Sequence, residues 1–266
     1  YGLVAGRDRT RYIEAMEGFT SRGGALSEQI RDRRRSEEPM NDRVRIVSGV
    51  QPSGNLHLGN YLGAIRQFVA LQDHSEDECS FFVADLHAMT TIHDGKALRS
   101  LTLQVATDYL ALGLDPDRAV IYRQSDVPQV TELAWMLSTV TPMGLLQRGH
   151  AYKDKIARGI TPTHGLFAYP VLMAADVLIV RADRVPVGRD QKQHIEMTRD
   201  IAAAFNNTHG EEILRLPEAV ILPKASVVPG IDGRKMSKSY GNAIELFAPE
   251  SEIRRSVMSI VTDSAP

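Results

Sequence analysis

The chain has 266 residues, 43% hydrophobic and 24% charged, with a formal net charge of -2 at pH 7. That length buries enough core for one α/β domain and a small appendage. The near-neutral charge excludes a generally basic nucleic-acid-binding surface, so an RNA contact has to come from a site and not from bulk potential. A single cysteine, Cys79, excludes an internal disulfide and fits a reducing, cytoplasmic setting. It leads into Phe81-Phe82-Val83 and reads as a small buried hydrophobe. The most apolar stretch, 165–180, is interrupted by Asp176 and is too short to span a bilayer, so no membrane segment is expected.

Residues 1–39 differ from the rest: Arg31, Arg33, Arg34 and Arg35 alternate with Asp32, Glu37 and Glu38 and hydrophobic periodicity is almost absent. This composition reads as a charged, flexible extension, too acidic for an organellar transit peptide and without the apolar segment of a secretory signal. The compact domain is expected to begin near Met40. From there strand and helix patterns alternate. Residues 44–48 read as a strand, 59–71 as a helix, 80–84 as a buried strand, 96–112 as an amphipathic helix ending before Gly113, and 119–122 as the next strand. Asp126 and Pro128 read as the N-cap and early proline of a helix containing Trp135 and Met136, whose side chains are expected mainly in the core. The alternation predicts an α/β fold, a Rossmann-like doubly wound parallel sheet with ligands beyond the carboxyl ends of its strands.

Two short segments carry the chemistry. The first, Pro52-Ser53-Gly54-Asn55-Leu56-His57-Leu58-Gly59-Asn60, puts two glycines and an imidazole at a strand-to-helix turn, where free backbone N–H groups and the helix dipole favour phosphate. The second, Lys235-Met236-Ser237-Lys238-Ser239, supplies two lysines on a loop. A third segment lies between them: Tyr169, Met173 and Asp176 share one helical face in the run 165–176. A carboxylate on an apolar face is costly to bury without a donor, and an indole N–H donates without accepting. The eight histidines show no zinc spacing.

The first two segments, in this order on an α/β chain, resemble the HIGH-type and KMSKS signatures of class I aminoacyl-tRNA synthetases. The run 165–176 resembles the tryptophan-binding helix of the tryptophanyl-tRNA synthetase family. Residues 185–194 resemble that family's strand and helix start beside the substrate, and 85–90 its second strand end. The resemblance covers about Val44 to Asp263. It implies ATP-dependent activation of L-tryptophan to tryptophanyl-adenylate and transfer of the acyl group to tRNA-Trp. Its partners are then tRNA-Trp, L-tryptophan, ATP and a second copy of the chain as a homodimer. The carboxylate attacking the α-phosphate is already ionised at neutral pH, so no general base is needed, and catalysis reduces to alignment and stabilisation of phosphate charge. Mg²⁺ would be held mainly by ATP oxygens, with no protein-bound structural metal.

Carried over position by position, the resemblance makes His57, Lys155, Lys235 and Lys238 the catalytic groups. ATP contacts are Gln51, Pro52, Ser53, Gly59, Asn60, Gly188, Arg189, Asp190, Val227, Lys235, Met236, Ser237, Lys238 and Ser239. Asp176 becomes the indole acceptor; Met173, Val185 and Val187 wall the ring; Tyr169 and Gln191 hold the amino-acid head group, and His87 stands beside them. By the same resemblance 40–225 is the catalytic domain, while 226–266 holds the lysine loop and the beginning of a truncated helical tRNA-binding domain, with a helix near 251–261. A chain ending there is expected to activate tryptophan but charge tRNA poorly.

Two positions depart from the family pattern. Arg189 replaces a usual glutamate, reversing a charge beside the ATP site, and Ala151 stands where a glutamine is common, before Tyr152 and Lys153. They point to a divergent or auxiliary bacterial form. A tyrosyl-type synthetase is the alternative within the class, but it usually has glutamine where Met173 stands, and a thioether cannot replace that amide as a phenol's partner. A non-catalytic tryptophan-binding paralogue is the more distant alternative, set against the presence of His57, Lys235, Lys238 and Asp176 together.

Overall fold

The structure, a computed structural model, describes residues 43–73, 76–149, 163–188, 191–221 and 228–261. The extension expected at 1–39 lies outside them. Five strands, β1 (Arg45–Val50), β2 (Glu78–Val83), β3 (Val120–Arg123), β4 (Arg184–Val187) and β5 (Glu218–Ile221), form one parallel sheet in the order β3-β2-β1-β4-β5. Parallel neighbours need crossover connections. The helices supply them, as the alternating sequence pattern predicts.

Successive strand residues point to opposite faces, so adjacent side chains feed two cores. Ile46 and Phe81 pack on one face with Ile65, Phe68 and Tyr109, whereas Val47 and Phe82 pack on the other with Val177 and Ile195. Phe68 stacks on Phe81 with ring centroids 4.6 Å apart. Full burial of each such side chain contributes about 1.5–3 kcal/mol. Cys79 is buried in the first of these cores, and burial pushes its thiol pKa up to about 11. That suits packing and not reactivity.

Helix α1 is composite: Leu58–Asn60 is α-helical, Tyr61–Ile65 is a π-helical stretch, and Arg66–Gln72 is α-helical again. Such π stretches concentrate at functional sites, and here it carries Gly63 and Ala64 to a cavity wall. Short helix α2 (Asp85–Ala88) follows β2 directly. Helix α3 (Gly95–Ala111) is capped by Asp94, which accepts from the Lys96 and Ala97 N–H groups.

Two expectations fail after β3. Asp126 does not cap the next helix; it sits in a 3₁₀ turn, Gln124–Asp126, and pairs with the Arg123 guanidinium, which takes the acceptor a cap would need. Pro128 is therefore the N-cap of α4 (Gln129–Ser138) and not an early helical residue. Trp135 is 74% exposed. The buried face of α4 is Val130, Leu133 and Leu137, and Trp135 falls off that stripe.

Helix α5 spans Met143–Gln147, and α6 (His164–Ile179) is capped by the Thr163 hydroxyl oxygen, 3.2 Å from the Leu166 N–H. Helix α7 (Lys192–His209) ends on Gly210 at φ +69°, the left-handed closure that glycine adopts without a Cβ penalty. The last helix, α8, spans Glu250–Met258 and buries none of its residues. No helix among the described residues is long and apolar enough to cross a membrane.

Chain order reverses between β1 and β4. In such sheets the crevice outside the carboxyl ends of the two strands is where ligands bind.

Candidate active site

The turn after β1 holds the first signature. Gly54 has φ +116°, a conformation open mainly to glycine. His57 is extended (φ −118°, ψ 167°) at the N-cap of α1, and its backbone N–H donates to Asn60 Oδ1 at 3.0 Å. A Cβ on Gly59 would lie 2.9 Å from the His57 ring, so only glycine lets the imidazole lie over the first turn. The ring is buried, and its Nδ1 has no hydrogen-bond partner among the described residues. Burial, and then the charge of Lys238, lowers the His57 pKa. The imidazole is thus neutral at pH 7 and offers hydrogen bonds, not a charge, beside the positive end of the helix.

The lysine loop is built onto that turn. The Leu58 N–H donates to Ile244 O at 2.9 Å, the Leu246 N–H to Leu56 O at 2.8 Å, and the Asn55 amide to Glu245 Oε2 at 2.9 Å. Asn242, 2% exposed, organises the loop: its Oδ1 accepts from the Ser237 N–H at 2.8 Å, and its Nδ2 donates to Asp232 Oδ1 at 2.6 Å and to Lys235 O at 3.2 Å. Met236 is buried, and its sulfur lies 3.3 Å from the Gly59 N–H, so its side chain anchors the loop to the glycine turn. Lys235 is exposed. Lys238 reaches back over the first signature, its Nζ 3.2 Å from where a Cβ on Gly54 would stand. Burial lowers the Lys238 pKa, while Glu245 and Asp108 oppose that shift.

Between the β1 and β4 ends lies a cavity of about 440 Å³. Its wall includes Tyr169, Met173 and Asp176 from α6, His87 from α2, Val185 and Val187 from β4, and Gln191 at the start of α7. Every residue expected to hold the indole or its head group is therefore on one surface. Gln51 and Gly188 join them, whereas Pro52, Ser53, Gly59, Asn60 and the lysine loop stand outside this wall.

Asp176 is 2% exposed at the cavity's inner end. It accepts from Gln124 Nε2 at 2.8 Å (Oδ1) and 3.0 Å (Oδ2), and from His87 Nε2 at 2.9 Å (Oδ2). Burial raises its pKa; the hydrogen bonds from His87 and Gln124 work the other way. Tyr169 Oη lies 2.6 Å from His194 Nε2, and burial raises the phenol pKa, keeping it neutral. Ser125 ties β3 to β2 through its backbone N–H, 3.0 Å from Asp85 Oδ1, and through its hydroxyl.

Sequence reasoning missed four contributors: Gln124, His194, Asn242 and Glu245. Gln124 carried one signal, its place at a strand's carboxyl end. Lys155, Arg189, Asp190, Val227, the Ser239 side chain and the departure at Ala151 lie outside the described residues. Among the described residues no cluster of three or more His, Cys, Asp or Glu side chains is placed to hold a metal.

The model of class I tRNA synthetases for tryptophan and tyrosine (W and Y) matches residues 39–266. The tryptophan–tRNA ligase of Fusobacterium nucleatum is 56% identical over 222 residues, which are 84% of this chain and 68% of that protein. The chain belongs to the tryptophanyl-tRNA synthetase family. The tryptophan–tRNA ligase of Rhodopirellula baltica is 53% identical over 84% of this chain and 69% of that one. Among solved structures, the tryptophanyl-tRNA synthetase of Campylobacter jejuni complexed with ADP and tryptophan superposes with a TM-score of 0.78 at 52% identity, covering 84% of this chain and 69% of that one. The five-stranded parallel sheet is thus the Rossmann-like sheet of a class I synthetase, and the resemblance read from the two signatures and the 165–176 helix holds.

Proposed function

We propose that this chain activates L-tryptophan with ATP and passes the aminoacyl group to tRNA-Trp. The observation that carries the reading is Asp176: a nearly inaccessible carboxylate in the wall of a cavity that is also lined by Met173, Val185, Val187 and by Gln51 at the start of the first signature. An indole fits between Met173, Val185 and Val187 with its N–H toward Asp176, and a head group then lies near Tyr169 and Gln191. The substrate carboxylate faces the α-phosphate of ATP, attacks it, and pyrophosphate leaves. His57, the N–H groups at the start of α1 and Lys238 stabilise the phosphate charge as it redistributes. Lys155, Lys235, Gly188, Arg189, Asp190, Val227 and Ser239 belong to the same proposal as ATP contacts, with Mg²⁺ carried by the triphosphate.

Residues 40–225 form the catalytic unit in this reading and 226–266 the lysine loop with the first part of a tRNA-binding region. The setting is the cytoplasm. The active species is a homodimer to which exposed Trp135 contributes, a point that the molar mass in solution decides. ATP–pyrophosphate exchange is the direct test of the activation step. Exchange supported by tryptophan and not by tyrosine is expected, since a site built for one buried hydrogen-bonding pattern rejects the other by about 10⁴–10⁵. Exchange with tyrosine alone overturns the reading, and tryptophan binding without exchange favours a non-catalytic paralogue.

A further inference from the structure

We infer that Gln124 is a specificity-determining positioning residue: its side-chain amide fixes Asp176 as an oriented, acceptor-only carboxylate that selects a ring N–H. The inference rests on the reading of the cavity as the indole site. Gln124 is 0% exposed. Its Oε1 accepts from two backbone N–H groups of α2, Leu86 at 3.0 Å and His87 at 3.4 Å. Reversing the amide would leave those N–H groups facing an NH₂ and set Oε1 against the Asp176 carboxylate. Backbone geometry therefore dictates that Nε2 points at Asp176.

The acceptor count gives the consequence. An ionised carboxylate offers about four lone-pair positions. Among the described residues, Oδ2 receives Gln124 and His87, whereas Oδ1 receives Gln124 alone. One position on Oδ1 is left for a ligand. With no donor of its own, the carboxylate rewards an N–H and gives nothing to a ring lacking one. The same amide bridges α2, which carries His87, to α6, which carries Asp176, across the end of β3.

Two variants separate this role from simple structural support. Gln124→Met keeps length and removes both halves of the amide. Gln124→Glu keeps an acceptor for the Leu86 and His87 N–H groups but replaces the donor facing Asp176 with a second carboxylate. ATP–pyrophosphate exchange is measured with L-tryptophan and with 3-benzothienylalanine, which has sulfur in place of the ring N–H, and folding is followed by thermal melting. Loss of one charge-assisted hydrogen bond corresponds to roughly 10- to 100-fold. Both variants are expected to lose that much kcat/KM for tryptophan, with the sulfur analogue changed by less than about threefold, so that the preference for tryptophan collapses. Equal losses for the two substrates, unchanged selectivity, or failure of both variants to fold overturns the inference. A wild-type chain that activates neither substrate overturns the reading of the cavity instead.

Discussion

The two ends of the site are held in different ways. At the inner end, Asp176, Gln124 and His87 form a buried polar chain anchored on backbone N–H groups, with Tyr169 and His194 bonded beside it. At the signature end, His57 and Lys238 ride on a glycine turn and a loop joined by a few backbone bonds, one buried asparagine and a thioether contact. Buried networks with every member satisfied are rigid, and removing one member exposes the others to the full cost of desolvation. Discrimination needs an immobile partner, whereas phosphate chemistry needs groups that can close around a reacting centre. The fold puts the first at the junction of β2, β3 and α6 and the second on connections between elements.

Asp176→Ala breaks the comparison most severely. It strands the fully buried Gln124 donor, takes the acceptor from His87, whose side chain is 14% exposed, and removes the proposed acceptor of the indole. Tryptophan-dependent pyrophosphate exchange is expected to fall by about 10³ or more. The variant should also unfold several degrees lower, since each buried donor left unpaired costs about 1–3 kcal/mol and each kcal/mol shifts Tm by roughly 2–4 °C at this size. A loss of activity with no change in melting temperature would mean that the network does not contribute to rigidity.

Gly59→Ala tests the signature end. The new methyl would lie 2.9 Å from the imidazole and 3.5 Å from Met236, so it displaces His57 and loosens the lysine loop at once. Misplacing a catalytic group by about 1 Å costs on the order of 100-fold. The fall should appear in kcat/KM for ATP, while tryptophan binding, followed by calorimetry without ATP, stays within about twofold. A parallel loss of tryptophan affinity would erase the distinction between the two ends.

How much of this could be read from sequence divides along the same line. The signature end is made of contiguous strings, so His57, Gly59 and Lys238 were legible as such, and the parallel, doubly wound sheet followed from the alternation of patterns. The α6 face was legible too, because helical spacing puts Tyr169, Met173 and Asp176 together. Gln124 was not: it stands 52 residues from its partner Asp176, and only the packing of α6 on the sheet, through Val177 against Val47 and Phe82, brings the two into contact. Glu245 was hidden for a similar reason, since its partner Asn55 lies 190 residues away. Asn242 was hidden because its local partners, the Ser237 N–H, the Lys235 carbonyl and the Asp232 carboxylate, follow no recognisable string. Trp135 was misread because amino-acid type outweighed its place off the stripe of Val130, Leu133 and Leu137. Asp126 was misread because local capping statistics ignore an arginine three residues earlier that competes for the carboxylate.

The smallest expected effect concerns the charge of His57. Burial and Lys238 lower its pKa in the folded chain below the ordinary 6.5. Above pH 6.5 the ring is neutral in both folded and unfolded states and contributes no pH dependence. As pH falls below 6.5, the unfolded chain takes up the proton first. Stability therefore declines with falling pH until the folded-state pKa is reached, with a slope that for one group cannot exceed about 1.4 kcal/mol per pH unit. Asp176 has the opposite sign: its raised pKa makes the folded state bind the proton more readily, so it favours folding at lower pH. Comparing wild type with His57→Asn between pH 7.5 and 5.5 cancels the Asp176 contribution and every other common one. The variant is expected to lose less melting temperature than wild type over that interval. Identical slopes would mean that the His57 imidazole is as accessible to protons as it is in the unfolded chain, and the lysine loop would then not shield it as the close approach of Lys238 and Met236 implies.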